Sequence, residues 1–172
     1  MEASRRAIPD DRDRIVELAR QAVAELSVQR GGEVWRRRDA RIEPLSDDLS
    51  RAIDESTADG GRLVVVGTID AVVIGYGVVH RDDITDGGCL AVIDDLYVEP
   101  GARGVGVGEA MMDLIVEWAE RHGCIGLDAV ALPGNRETKN FFESFGLVAR
   151  AIVVHRSLVK PTVADDTIDL DS

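Results

Sequence analysis

The apolar residues of the chain change from helical to strand-like spacing and back, which predicts a domain built from both helices and strands. After a short strand-like start, apolar residues recur at helical spacing from Ile15 to Leu26, and a second helix is predicted around Leu45 to Ala58. β-Branched residues then concentrate in two runs, Leu63 to Ile69 and Val72 to His80. The short connection between these runs predicts a hairpin.

The second half of the chain has a strand–turn–helix order. A third run, Leu90 to Val98, is ended by Pro100, which cannot continue a strand ladder. An apolar stripe from Ala110 to Ala119 predicts the helix after the turn. Beyond it we expect a strand over Ile125 to Leu132, a helix carrying Phe141, Phe142 and Phe145, and a final strand over Leu147 to Leu158.

Length and composition indicate one ordinary soluble domain, which we place at residues 1–160 of the 172. Residues 161–172 are acidic and poor in aromatic residues, so a disordered tail is expected there. The longest apolar stretch, Ala71 to Val79, is too short for a membrane span, and the first residues lack the apolar core of a signal peptide. We therefore expect a cytoplasmic protein that does not bind membranes.

The net charge of −12 argues against a nucleic-acid partner, because phosphate binding depends on clustered lysine and arginine. A cationic substrate suits such a charge better. The two cysteines, Cys89 and Cys124, have no neighbouring cysteine or histidine at metal-ligand spacing, so no metal site is expected. They are interpreted as small buried hydrophobic residues, with the role of a nucleophile left as the alternative.

A glycine-rich turn joins the third predicted run to the next helix, and it reads Arg103-Gly104-Val105-Gly106-Val107-Gly108. The first N–H groups of a helix lack internal partners and favour an anion such as phosphate. Glycine lets the phosphate approach these groups, and Arg103 can add a charged contact. Glu109 after the last glycine excludes both a P-loop and a dinucleotide-binding fingerprint, while a merely structural turn remains the alternative.

The turn resembles the signature of the GNAT superfamily of N-acetyltransferases, which is Gln or Arg, two residues, Gly, one residue, then Gly or Ala. Arg103, Gly106 and Gly108 fit this signature. The approach from Leu96 to Pro100 is similar to the family's fourth strand, and Asn135 to Leu147 is similar to a later family segment. The resemblance covers roughly Leu63 to Leu158, and the N-terminal helices match only in pattern.

The resemblance implies an α/β fold of the α+β type, with a mixed, mostly antiparallel sheet of about six to seven strands and about four flanking helices. Its fourth and fifth strands splay apart and admit the pantetheine arm of acetyl-CoA. The main chain of Leu96, Tyr97 and Val98 would bind that arm as an added strand. The resemblance further implies a pyrophosphate site on the amides of Arg103, Gly104, Val105, Gly106, Val107 and Gly108.

Two further positions are assigned through the resemblance. Asn135 would contact the pantetheine arm, and the equal alternative is that it caps a helix. Phe142 stands where the family often has a tyrosine that protonates the departing thiolate. Phenylalanine has no proton to donate, so another group or water protonates the thiolate, or the thiolate leaves unprotonated, or catalysis is poor. Trp35 lines the acceptor pocket or belongs to the core.

The candidate general bases are Asp94, Asp95 and Glu99, near the end of the fourth strand. Adjacent strand residues face opposite sides, so Asp94 shares a face with Leu96, and Asp95 shares the other with Ile93 and Tyr97 unless a bulge intervenes. Asp94 is the favoured base. The alternatives are surface charges without a catalytic role and a water chain in place of any base.

The resulting prediction is an acetyl-CoA-dependent N-acetyltransferase that acts by direct attack of a primary amine from a small molecule, peptide or protein. Acetyl-CoA is its co-substrate and no metal takes part. By analogy with the family we expect homodimers. The alternative is a CoA-binding sensor or partner module without useful turnover.

Overall fold

A central sheet carries the elements that form the functional cleft, and the computed structural model describes it within residues 1–85 and 87–158. The strands in this part of the chain are β1 (Glu2–Arg6), β2 (Arg62–Ile69), β3 (Val72–Asp83), β4 (Cys89–Val98) and β5 (Gly126–Ala129). The α-helices are α1 (Arg12–Ser27), α2 (Gly32–Arg38), α3 (Leu45–Thr57), α4 (Val107–Arg121) and α5 (Arg136–Ser144).

The strands lie in the order β1-β2-β3-β4-β5, and all neighbours are antiparallel except β4 and β5, which are parallel. The β4–β5 ladder runs only from the pair Leu90–Gly126 to the pair Ile93–Ala129. Beyond Ile93, β4 continues to Val98 without a β5 partner. This arrangement confirms the mixed, mostly antiparallel sheet with splayed fourth and fifth strands.

Helices cover both faces of the sheet and form two hydrophobic cores. On one face, α1 and α3 bury residues such as Ile15, Leu18 and Leu49 against the sheet. On the other face, α4 buries the stripe Met111, Met112, Ile115 and Trp118. These stripes match the helical spacing in the sequence, because residues three and four apart lie on one helix face.

The prediction of a strand over Leu147 to Leu158 is wrong within the described residues. This segment has no regular structure; Leu147 is partly buried against the α4 core, whereas five later apolar side chains are 81–89% exposed. The sheet therefore has five described strands rather than six or seven. The residues carry a strand-like pattern, but a strand also needs a partner edge, and none of the described strands pairs with this segment. The exposed apolar residues are Val148, Ile152, Val153, Val154 and Leu158.

Smaller differences concern element bounds and helix number. The strand expected over Ile125 to Leu132 is limited to Gly126–Ala129. The basic stretch after Gly31 forms a helix of its own, α2, so five α-helices are described rather than four. The tail predicted at residues 161–172 lies outside the described residues. Among the described helices, each is too short or too polar to cross a membrane.

Candidate active site

A cleft opens where β4 and β5 part. It has a volume of about 340 Å³, and its walls come from α1, the second half of β4, the glycine turn, the segment after β5 and the start of α5. Trp35 of α2 also lines it, which favours a role in the pocket over a place in the core. The cleft therefore exists because two neighbouring strands stop pairing halfway along β4.

The main chain of β4 forms one wall of the cleft. Leu96, Tyr97 and Val98 lie along it, paired with β3 on one side and unpaired with β5 on the other. An extended backbone with one open edge binds a strand-like ligand through its amide groups. One carbonyl already has a partner, because Arg103 Nε donates to the Val98 oxygen over 2.9 Å.

A β-bulge at Asp94 sets the direction of the β4 side chains. Val78 pairs with Asp95 and Val79 pairs with Ile93, so Asp94 is an extra residue in β4. The alternation expected from sequence shifts by one at this point. Ile93 packs in the α4 core, whereas Tyr97 packs in the α1 and α3 core. The alternation expected without a bulge, in which Asp95 shares a face with both Ile93 and Tyr97, therefore does not hold, because the bulge places these two residues on opposite faces.

Asp95 is the more buried of the two bulge carboxylates. It accepts a hydrogen bond from Arg41 Nε, and Arg41 Nη1 also donates to Asp48 over 2.6 Å. Burial raises the pKa of the Asp95 carboxyl, and the Arg41 guanidinium opposes this shift. Burial and the neighbouring Asp95 also raise the pKa of Tyr76 well above its ordinary value. Asp95 is thus held in an ion pair that ties β4 to the segment before α3.

Asp94 is partly exposed and lines the cleft. Its carboxylate lies 3.0 Å from His80 Nδ1, a contact between β3 and β4. Glu99, the third candidate base, is held by Arg14 of α1 at 2.8 Å and is not among the residues that line the cleft. The structure thus brings Asp94 and Asp95 to the cleft and leaves Glu99 outside it.

The glycine turn leaves open space beside its backbone. Gly104 and Gly106 have φ angles of +73° and +94°, a left-handed conformation that favours glycine. A Cβ atom built at either position meets no atom within 4 Å. The first described hydrogen bond of α4 runs from Ala110 N to Gly106 O, so the preceding amides of the helix have no intrahelical acceptor. The turn therefore leaves open space beside backbone amides that have no intrahelical acceptor, at the start of α4.

Gly108 and Arg103 lie beside protein side chains, although both were expected to serve a pyrophosphate site. A Cβ at Gly108 would lie 3.2 Å from the Phe141 ring, so glycine here permits close packing of α4 against α5. The Arg103 guanidinium binds both carboxylate oxygens of Glu25, at 3.0 and 2.8 Å, and lies 5.4 Å from the centre of the Tyr97 ring. Arg103 thus joins α1 to the turn. Val105 is exposed within the turn, and Val107 is the buried first residue of α4.

Asn135 and Phe142 line the cleft from α5. Asn135 caps the helix, since its Oδ1 accepts a hydrogen bond from Thr138 N over 3.0 Å. Its Nδ2 donor has no partner among the residues described, which leaves it available to a ligand. Phe142 is buried in the α4 core and offers no proton to the cleft.

The two cysteines lie at the paired end of β4, away from the cleft lining. Their sulfur atoms are 3.4 Å apart. Burial, together with the contact to Cys89, raises the pKa of Cys124 to about 11, so the thiol stays protonated near neutral pH. A nucleophilic role is not supported. Within residues 1–85 and 87–158, no three His, Cys, Asp or Glu side chains come together in a group able to hold a metal ion.

Sequence reasoning missed three residues that organise the site: Glu25, Arg41 and His80. Glu25 contacts Arg103, Arg41 contacts Asp95, and His80 contacts Asp94, and in each pair the partner lies far along the chain. A short motif carries no signal for such pairs. The bulge that separates Asp94 from Asp95 likewise depends on the register with β3.

Comparisons with known proteins agree with this geometry. The profile of the acetyltransferase (GNAT) family matches residues 21–147. The thialysine N-epsilon-acetyltransferase of Bos taurus is 30% identical over 120 residues, which cover 62% of this chain and 71% of that protein.

Two solved structures share the fold at 16% identity and a TM-score of 0.66. One is the glucosamine-6-phosphate N-acetyltransferase of Arabidopsis thaliana, and the other is a predicted acetyltransferase of Clostridium acetobutylicum with acetyl-CoA. Each match covers 92% of this chain, and 99% and 97% of the respective structures. With a family profile spanning most of its length, the chain belongs to the acetyltransferase (GNAT) family and is an acyltransferase.

Proposed function

We propose that the protein transfers the acetyl group of acetyl-CoA to a primary amine of a small molecule, peptide or protein by direct attack. The observation that carries this proposal is that one cleft runs from the open edge of β4 to the glycine turn, where the backbone has open space beside it. An extended amide-containing arm matches the first part of this cleft, and a diphosphate matches the second.

The chain offers separate groups for the parts of coenzyme A. The open edge of β4 at Leu96 to Val98 is suited to the amides of pantetheine, and Asn135 Nδ2 is suited to the same arm from the other side. The free amides at the start of α4 are suited to the pyrophosphate. Since Glu25 holds the Arg103 guanidinium, the phosphate contacts come chiefly from the main chain.

Asp94 is the better candidate for the general base. Protonating Asp95 would break one of the two ion pairs of the buried Arg41 and leave Asp48 as its remaining carboxylate partner, whereas Asp94 is partly exposed beside His80. Asp94 accepts a proton from the amine, directly or through water, as the nitrogen attacks the thioester carbon. The bond from carbon to sulfur then breaks, and the thiolate leaves as an anion that takes its proton from water. A thiol pKa near 8.5 makes that departure feasible opposite Phe142.

The second candidate function is a CoA-binding sensor or partner module without useful turnover. The observation that favours it is Phe142, which is buried at the cleft and has no proton to donate. The same cleft serves both functions. They differ only in whether the acetyl group is transferred once acetyl-CoA is bound.

We further infer that two copies of the chain associate. Five apolar side chains of the segment 147–158 are exposed, and exposed apolar surface of this kind marks an interaction site. Arg150 Nε lies 2.8 Å from Asp128 of β5, which keeps the segment beside the open edge of the sheet. A second copy presents the same edge and the same segment, so the two surfaces are complementary in a symmetric dimer.

The first prediction concerns turnover. With acetyl-CoA and a panel of primary amines, we expect amine-dependent release of the CoA thiol at about 1 s⁻¹ or faster for a good acceptor. Thiol release is measured with a chromogenic disulfide, and CoA binding by calorimetry. Binding without amine-dependent release would favour the sensor, and absence of binding would refute both functions.

The second prediction concerns the glycine turn. Gly106→Ala and Gly106→Glu both carry the cost of a left-handed φ, but only the glutamate adds a negative charge beside the diphosphate site. We expect CoA to bind Gly106→Glu at least about tenfold more weakly than Gly106→Ala, a difference of about 1.4 kcal/mol. Calorimetry at low salt measures both affinities. Equal affinities would place the diphosphate elsewhere.

The third prediction concerns the base. Asp94→Asn should lower kcat about 100-fold or more near neutral pH, because the amine must lose a proton on attack. The ratio of the wild-type kcat to the Asp94→Asn kcat should fall as the pH approaches the pKa of the amine, about 10.4 for a lysine side chain, since the neutral amine is then abundant. Glu99→Gln is the matched control, lying outside the cleft lining, and should keep wild-type kcat. A pH-rate profile that Asp94→Asn leaves unchanged would exclude this base.

The fourth prediction concerns association. Light scattering after gel filtration should give twice the 18.6 kDa mass of one chain. The double substitution Ile152→Asp/Val154→Asp places two charges on the exposed segment and should yield monomers. Val72→Asp, an exposed position at the β2–β3 hairpin, should leave the dimer intact. A wild-type monomer at micromolar concentration would rule out this interface.

A further inference from the structure

A second pocket lies beside the cleft, between α1, the end of α2 and the segment leading to α3. Its volume is about 660 Å³. We call it the arginine pocket, because five of its lining residues are arginines, out of 20 lysines and arginines in the whole chain. These are Arg20, Arg36, Arg37, Arg38 and Arg41.

The charge of the arginine pocket is opposite to that of the chain. Glu43 is its one lining carboxylate, and the Glu43 side chain accepts a hydrogen bond from Leu45 N over 3.0 Å. Arg20 and Arg36 have no ion pair or hydrogen bond within the described part of the chain. Both residues are exposed and no described carboxylate pairs with them, so their positive charges favour an anion bound at this surface.

Two of the arginines have only weak partners. Arg37 and Glu33 lie 3.6 Å apart, as do Arg38 and Asp39, and all four side chains are exposed. Exposed ion pairs of this length contribute little free energy. These side chains are thus available to a ligand at small cost, and a carboxylate or phosphate can accept two hydrogen bonds from one guanidinium.

Arg41 gives the pocket a buried cation. Its side chain is 10% exposed, and its Nη2 is buried without a hydrogen-bond partner among the residues described. Its other nitrogens bind Asp48 and Asp95. A buried guanidinium donor left without a partner is costly, and this Nη2 is enclosed by protein, so it reaches a ligand in the pocket only if the side chain moves.

The arginine pocket adjoins the cleft at the β4 bulge. Val23 lines both spaces, and Arg41 on the pocket side is bonded to Asp95 on the cleft side. Trp35 of the cleft directly precedes Arg36 of the pocket. The two spaces are therefore adjacent, sharing Val23 and joined by the ion pair between Arg41 and Asp95.

We propose that the arginine pocket binds an anionic group, a carboxylate or a phosphate, carried by the acceptor amine. This proposal rests on the function proposed above and narrows its acceptor to amines that also bear a negative charge. The arginines of the pocket then bind the anionic group of the acceptor, while the bulge region of β4 receives the acceptor's amine nitrogen. The net charge of −12 is largely screened beyond about 8 Å at physiological salt, so the contacts of the acceptor are set by this local positive surface.

Matched acceptors test the proposal. Lysine is compared with lysinamide, and phosphoethanolamine with ethanolamine, so that each pair differs in one anionic group. We expect KM for at least one anionic member to lie about tenfold or more below that of its neutral partner, as a charged hydrogen-bonded contact provides. The two pairs distinguish a carboxylate from a phosphate as the favoured group.

Substitutions assign that preference to the pocket. Arg20→Gln/Arg36→Gln should raise KM for the preferred anionic acceptor about tenfold, with kcat nearly unchanged and KM for the neutral partner within about twofold. Arg51→Gln, an exposed arginine of α3 outside the pocket lining, is the matched control and should behave as wild type. Circular dichroism verifies that each variant is folded.

The outcomes separate this proposal from the proposed function. Equal KM values for the neutral and anionic amines would refute the anion-binding role of the arginine pocket. An equal rise of both KM values in the double variant would also refute it. Either result is compatible with acetyltransferase activity. Intact CoA binding without turnover of any amine would overturn the proposed function and the pocket's role in it together.

Discussion

The parting of β4 from β5 is the constraint on which the rest of the site depends. Their ladder ends at Ile93 and Ala129, although β4 continues to Val98. Backbone amides left without partners inside a fold need water or a ligand. A cleft with one extended, unpaired wall is therefore already shaped for a ligand that carries its own amides. The glycine turn lies next to this wall because β4 runs into it.

Two long-range ion pairs hold the walls of the cleft at their positions. Glu25 of α1 binds Arg103 at the turn, and Arg41 binds Asp95 at the bulge. Each pair joins an N-terminal element to β4 or to its end. The N-terminal helices thus bear on the site, and the match of the family profile from residue 21 onward shows that their likeness to the family extends beyond the pattern expected from the sequence.

Features that depend on neighbouring residues were predictable from the sequence. The strand before the turn, the helix after it and the helix cap at Asn135 all arise from local patterns. The bulge at Asp94 was not predictable, because it is a mismatch in register between β4 and β3. The strand expected over 147–158 is absent for a related reason. Its apolar pattern is visible in neighbouring residues, whereas pairing with another strand depends on the fold.

The effect of charge on ligand binding likewise depends on where the charged residues lie, and not only on the net charge. The net charge of −12 argues against an extended basic surface, and taken alone it favours a cationic substrate. Yet α1, α2 and the segment before α3 bring five arginines around one space. Screening limits the influence of distant carboxylates to roughly 8 Å at physiological salt, so a ligand in that space responds chiefly to the nearest guanidinium groups. The charge that selects a substrate is consequently set by which helices pack together, and the composition of the chain does not determine it.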